Sequence, residues 1–184
     1  SVGFWVMEYL GHDKVHFMDG GLEAWRNSGF RLEKDPTIKG PKTFTANVVA
    51  SRLATTDEIT DIATGKTTGV QLVDSRSKKE HQGKDMRAIR GGHVPNTSIN
   101  VSHKDTMLQE MDKKTEKMEA TGFMDSKGLQ EKFGSLDKSK RTIGYCQTGT
   151  RSTLTYLQMR LMGFENPANW DDSWRVYASD LAAN

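Results

Sequence analysis

Cysteine occurs once in the 184 residues, at Cys146. No intramolecular disulfide can form, and the fold must hold without one. A lone thiol suits a reducing compartment, so the expected location is cytoplasmic, with the periplasm left open. No run approaches the ~18 apolar residues that cross a bilayer as a helix, and no stretch has the pattern of a secretory signal. Net charge is scarce too: 26 basic against 24 acidic residues leave +2, without the clustered basic face of a nucleic-acid binder. Neither nucleic acid nor membrane is expected as a partner. The five histidines show no ligand pairing beyond the chance spacing of His12 and His16. No metal and no other cofactor is expected.

What is present is a very polar chain with short apolar segments, 35% hydrophobic and 27% charged. The apolar residues must therefore be concentrated in a few strands and helix faces. The opening segment reads as the second half of an amphipathic helix stopped near Gly11. Val15 to Met18 is a short strand, Asp19 to Gly21 a turn, and Leu22 to Ser28 a helix closed by Gly29. Such a piece cannot bury its apolar faces alone. Residues 1–40 are accordingly read as the C-terminal tail of a preceding domain plus a linker, where Pro36, Gly40 and neighbouring lysines gather.

Residues 41–184 read as one domain of alternating strands and helices. Thr55 and Glu58 have capping-box spacing and open a helix to about Ala63. Val70 to Val73 is a strand ending at Asp74, followed by a helical turn from Ser77 to His81 that stops at Gly83. Ser98 to Val101 is another short strand. Over residues 104–119, Met107, Leu108, Met111 and Met118 fall at near-helical spacing among many charges, which predicts a solvated helix or a mobile insert. Asp125 or Ser126 caps a helix to Phe133. Arg141 to Tyr145 is a strand running into Cys146. Arg151 to Met162 reads as an amphipathic helix with Leu154, Leu157, Leu161 and Met162 on its buried side and Gly163 at its end. A strand near Pro167 to Trp170 and a helix from Asp172 complete the pattern. It predicts an α/β sandwich with a mainly parallel central sheet flanked by helices. The element order of the first 40 residues echoes the last 40, with Trp25 and Trp174 in matching helices, which points to two related domains, one incomplete.

Cys146 sits between the end of a strand and the start of a helix. Gln147, Thr148, Gly149 and Thr150 are small or polar, and the Gly permits a tight curve. A loop of this kind can turn successive N–H groups toward the sulfur and, above a helix N-terminus, bind an anion. It also favours thiolate over thiol. Arg151 adds a positive charge where the helix dipole disfavours one, as if kept for an anion. The bland alternative is a buried inert Cys before a helix that happens to start with Arg.

The stretch YCQTGTRSTLTYLQMRLMGF resembles the active-site loop and following helix of the rhodaneses, the thiosulfate and mercaptopyruvate sulfurtransferases. VDSRSKKEHQG followed by GGHVPNTSIN resembles the family's second signature, and Met18 to Gly21 with Trp25 resembles the end of an inactive N-terminal domain in tandem rhodaneses. The resemblance implies a rhodanese-like sandwich preceded by the tail of a second such domain. It makes Cys146 the nucleophile that becomes a persulfide, with Gln147, Thr148, Gly149, Thr150 and Arg151 as its cradle. Asp74 and Arg76 would brace the loop, and His93 would be structural, bonding backbone in the turn before Pro95. Asn96-Thr97 and His81 depart from the usual Gly-Ala and aromatic residue. The implied partners are a small sulfur donor, a cyanide or thiol acceptor, and the remainder of an N-terminal rhodanese domain.

Donor choice is read from two features. The Cys146-Gln147-Thr148 start of the loop is similar to thiosulfate-using bacterial enzymes, and Glu80 stands where mercaptopyruvate enzymes usually carry Arg. Thiosulfate is expected, with 3-mercaptopyruvate as the alternative. Rhodanese-like phosphatases or arsenate reductases place five residues between Cys and Arg, whereas four stand here. A non-enzymatic docking module is the remaining alternative. Because the tandem site lies between domains, an incomplete first domain predicts a Cys146 more exposed and more easily oxidised than in the complete protein.

Overall fold

The computed structural model describes residues 1–111 and 116–179. Its elements are α1 (Val2–Tyr9), α2 (Gly21–Asn27), α3 (Thr56–Ala63), β1 (Gln71–Asp74), α4 (Lys78–His81), β2 (Ile99–Asn100), β3 (Met107–Met111), β4 (Met118–Phe123), α5 (Ser126–Phe133), β5 (Arg141–Tyr145), α6 (Ser152–Leu161), β6 (Asn166–Asn169) and α7 (Ser173–Ser179). The central sheet has the order β2-β1-β5-β6 and every pairing in it is parallel. Both faces of a parallel sheet are covered by helices, so its strands are apolar on both sides. Leu72 and Ile143, partners in register, join Ile59 and Ile62 of α3 and Trp174 and Tyr177 of α7 in one core cluster. Val73, the next residue of β1, belongs to a second cluster with Leu129 and Phe133 of α5 and Met159 of α6. The period-2 alternation of side chains thus divides β1 between two cores. The expected α/β sandwich is what forms.

Helix starts follow local chemistry. The Thr55 hydroxyl accepts from Glu58 N, and Asp125 accepts from Gly128 N. Ser77 and Glu80 close a reciprocal capping box on α4, satisfying N–H groups that a free helix end would leave to water.

Three local expectations are corrected. Val15 to Met18 is not a strand; Phe17 instead stacks on Phe123 at 5.3 Å. The segment read as a helix or insert contains an antiparallel hairpin, β3 with β4, in which Met107 pairs with Phe123 and Met111 with Met118. Residues 112–115 of that reading lie outside the described residues. Pairing satisfies the backbone while Leu108, Met111 and Met118 stay exposed, so the methionine spacing that resembled a helix face marks no buried face. On α6, Leu157 is buried but Leu161 is 63% exposed, and Thr155, Tyr156, Gln158 and Met159 are buried instead. The reason is α1, which docks on the side expected to meet solvent. Glu8 accepts from the Tyr156 hydroxyl and pairs with Arg160 at 3.0 Å, and the Trp5 indole donates to Arg52 O at 2.9 Å.

The first 19 residues therefore pack on the rest of the chain. Asn47 N and Val49 N donate to Leu10 O and Tyr9 O, and Phe123 N donates to Asp19 Oδ1 at 2.9 Å. By contrast α2 buries none of its residues.

Candidate functional site

Strand order locates the site. From β1 the chain crosses to β2 on one side, and from β5 it crosses to β6 on the other. Ligands of open α/β sheets bind at such a switch point, outside the carboxyl ends of the strands. Here those ends are Asp74 of β1 and Tyr145 of β5, and Cys146 is the next residue.

Cys146 is fully buried, at 0% exposure, which corrects the expectation of a more exposed thiol. The loop after it is latched to α7. Trp174 N donates to Cys146 O at 3.0 Å and Arg175 N to Gln147 O at 3.1 Å. The Ser173 hydroxyl accepts from both Cys146 N and Gly149 N at 3.0 Å and donates to Trp170 O at 2.7 Å. Ser173 holds this position with φ of 56°, a left-handed backbone that a side chain disfavours. Gly149 has φ of 76°, and a Cβ there would lie 2.5 Å from Asp171 O, so the curve requires glycine. The hydroxyls of Ser152 and Thr153 bond back to Gly149 O and Thr150 O. The remaining amides of the cradle, on Gln147, Thr148, Thr150, Arg151 and Ser152, have no acceptor among the described residues. They lead into the N-terminus of α6, the positive end of its dipole.

Arg151 does not stand free. It makes a bidentate pair with Glu80, at 2.9 and 2.7 Å. Glu80 is buried, and burial alone would raise its pKa. The hydrogen bonds from Arg151 and Ser77 and the Arg151 charge overcome this and hold it at about 2. The Arg151 pKa is raised by the bond to Glu80, against burial, with the Glu80 charge and then the Cys146 charge and hydrogen bond contributing in the same direction. The Cys146 sulfur thus lies within the electrostatic reach of Arg151.

A cleft of about 480 Å³ opens beside the loop, lined among others by Gln147, Thr148, Arg151, Arg87, His103 and Lys104. A larger hollow of about 870 Å³, between the N-terminal segment and α5 and α6, involves none of residues 146–151.

Asp74 and Arg76 are brought close to the loop but make no hydrogen bond to it. Arg76 Nε and Nη2 bond the two Asp74 oxygens at 3.0 and 2.7 Å, and Nη2 also donates to Gly92 O. Burial pushes the Asp74 carboxyl up, but hydrogen bonds from His81 and Arg76 and the Arg76 charge bring it below its ordinary value. The guanidinium lies 4.7 Å from the Trp174 ring and 5.7 Å from that of Tyr145. The pair thus supports the residues on either side of Cys146. His93 Nδ1 donates to His81 O at 3.0 Å rather than within its own turn, and its ring stacks on that of His81 at 3.9 Å. Asn96 replaces the usual Gly at φ of 60° and donates to Ile62 O, closing the end of α3.

Sequence reasoning missed Ser173, whose place before a helix reads only as a cap. It also missed His103 and Lys104, which fall beside a segment read as a helix or insert. Among the described residues no group of three or more His, Cys, Asp or Glu is arranged to hold a metal.

Residues 56–180 match the sequence model of the family described as Rhodanese-like domain. A Mycobacterium tuberculosis protein provisionally named a thiosulfate sulfurtransferase is 31% identical over all of this chain, which spans 65% of that relative's length. The thiosulfate sulfurtransferase of Corynebacterium glutamicum is 28% identical over 95% of this chain and 58% of its own. The chain thus spans less than two thirds of the relatives it matches. Among solved structures, SseA from Escherichia coli, a 3-mercaptopyruvate sulfotransferase, superposes with a TM-score of 0.72 at 18% identity, over 94% of this chain and 61% of its own. The anaerobic ergothioneine biosynthesis enzyme of Chlorobium limicola gives 0.79 at 20% identity, over 100% and 44%.

Proposed function

Because this chain belongs to the rhodanese-like family, we propose that it is a sulfurtransferase that carries sulfur as a persulfide on Cys146. The observation that carries this reading is the loop itself: a buried cysteine at a strand end, followed by five cradle amides without a protein acceptor. N–H groups at the head of a helix, without an acceptor among the described residues, are ready donors for an anion. The Cys146 thiolate attacks the outer sulfur of a donor. With thiosulfate, the S–S bond of the donor breaks, sulfite leaves with its electron pair, and the outer sulfur stays on Cys146 as a persulfide anion. An acceptor then takes that sulfur, in the two-step pattern of nucleophilic catalysis. Residues 1–40 fit the tail of a first rhodanese-like domain, with 41–184 as the unit that carries Cys146.

Thiosulfate as donor is supported by the names of the curated relatives and by the Cys146-Gln147-Thr148 start of the loop. Repulsion by Glu80 supports it less, because that carboxylate is neutralised by Arg151. Arg87 and Lys104, which line the cleft, favour a second reading with the carboxylate of 3-mercaptopyruvate. Steady-state rates with both donors separate the two, and faster turnover with mercaptopyruvate overturns the choice of thiosulfate. The persulfide is tested by intact mass after incubation with thiosulfate. A gain of ~32 Da, one sulfur atom, is expected for the covalent step and is lost in Cys146→Ser. No gain in the unsubstituted protein defeats the proposal.

A further inference from the structure

His103 lies on a turn between β2 and β3, and its backbone N and its Nδ1 both approach Ser75 O, at 3.0 and 3.3 Å. A carbonyl oxygen can only accept, so Nδ1 carries the proton and, in the neutral ring, Nε2 carries the lone pair. The ring lines the same cleft as Gln147, Thr148 and Arg151, directly beside the loop that holds Cys146. The cleft's other charges are already arranged. Arg151 is bound to Glu80, and Arg87 is bound to Asp85 at 2.9 Å. Lys104 has no carboxylate partner among the described residues. The cleft thus offers one base and one cation without a carboxylate partner beside the loop that follows Cys146.

We propose that His103 is the proton carrier for a thiol acceptor, taking the S–H proton at Nε2 and passing it to the outer sulfur of the Cys146 persulfide. This rests on the persulfide reading above and names the acceptor class as a thiol. The step balances without any further reactant. The acceptor S–H bond breaks and its proton moves through Nε2 to the outer sulfur. The resulting thiolate attacks that now neutral sulfur, a new S–S bond forms, and the Cys146 Sγ–S bond breaks. Cys146 returns as thiolate and the acceptor leaves as a persulfide. Lys104 stabilises the thiolate while it is negative. Burial, then the Arg151 charge, with Lys104 in the same sense, lower the His103 pKa, against the Ser75 carbonyl and Glu80; the ring is the neutral base at pH 7. Cyanide, which attacks as an anion and brings no proton, needs none of this.

The test separates the two half-reactions in the full chain. Wild type and His103→Gln are loaded with thiosulfate, checked by mass, and discharged with cyanide, dithiothreitol or glutathione. Loading and discharge by cyanide are expected to stay within about twofold. Discharge by either thiol at pH 7 is expected to slow about 100-fold, the scale of general acid–base catalysis. That deficit shrinks as pH rises toward the pKa of the thiol, where the acceptor ionises unaided, and added imidazole restores part of the rate in His103→Ala. Equal slowing with cyanide and thiols, or no slowing with thiols, overturns the proposal. Failure of wild type to load sulfur overturns the persulfide reading and this inference with it, whereas normal loading with an unchanged thiol step overturns this inference alone.

Discussion

Replacing Ser173 by Ala removes one hydroxyl that holds three main-chain groups. Cys146 N and Gly149 N lose their acceptor, and Trp170 O loses its donor. Ser173 is 0% exposed, as is Cys146, so water does not simply take its place. Each buried polar group left unpaired costs ~1–3 kcal/mol. The substitution should therefore cost ~3 kcal/mol, allowing some relaxation of the loop. For a chain of this size, ~1 kcal/mol lowers Tm by roughly 2–4 °C, so a fall of about 6–12 °C is expected. Ser173→Gly provides the internal control. It loses the same three bonds but relieves the φ of 56°, a gain of ~1 kcal/mol for a left-handed residue. Gly should therefore be the milder of the two. Urea or thermal denaturation measures both, and the mass gain with thiosulfate reports on the loop; both variants should load sulfur more slowly. Ser173→Ala within ~0.5 kcal/mol of wild type, or Gly more damaging than Ala, refutes the reasoning.

Two other substitutions examine the charges around the site. Glu80 is held at about 2 against an ordinary 4.5, so its stabilisation is complete above pH ~4.5 and is lost as pH falls through ~2. Linkage sets a ceiling of ~3 kcal/mol, which solvent at the open cleft reduces to about 1–2. Glu80→Gln should be less stable by that amount at pH 7 and should lose this part of the acid dependence in denaturation curves between pH 5 and 2; an unchanged acid limb contradicts the pairing. Arg76→Met leaves the Asp74 carboxylate buried beside only His81 and one backbone N–H, and should cost ~3–5 kcal/mol. Restoring much of that loss with Asp74→Leu in the same chain is expected, and additive losses in the double variant count against a coupled pair.

The parallel sheet was readable because short segments with apolar residues, such as Leu72-Val73 of β1 and Ile143 of β5, alternate with helix signals along the chain. Cys146 was readable because a strand ends on it and a helix begins just beyond it. What escaped was contact at a distance. Nothing local distinguishes a Ser173 that clamps two amides of another loop from one that caps its own helix. The burial of α6 depends on α1 lying across it, more than 140 residues away in the chain, so a one-sided stripe was the only pattern the helix itself could display. The hairpin of β3 and β4 escaped for a related reason, since Met107, Leu108, Met111 and Met118 fit an exposed strand pair as well as a helix. The buried thiol contradicted an expectation drawn from domain arrangement, because within this chain Cys146 is already 0% exposed and its loop is latched to α7.

The pairing of Arg151 with Glu80 alters how the field at Cys146 should be understood. A guanidinium bound at two points to a buried carboxylate presents a reduced net charge to a third group, because the two charges act on it with opposite sign. Arg151 then contributes mainly direction: its fork is fixed by Glu80, which is fixed in turn by the Ser77 cap of α4. On the persulfide reading proposed above, the charge preference of the site falls to N–H groups of the loop and of the first turn of α6. Such fixed dipoles need no reorganisation when charge appears among them. This also accounts for a positively charged residue at the unfavourable end of a helix. Its partner lies on the element that follows the neighbouring strand, so the pair ties together the two loops between which the switch point opens.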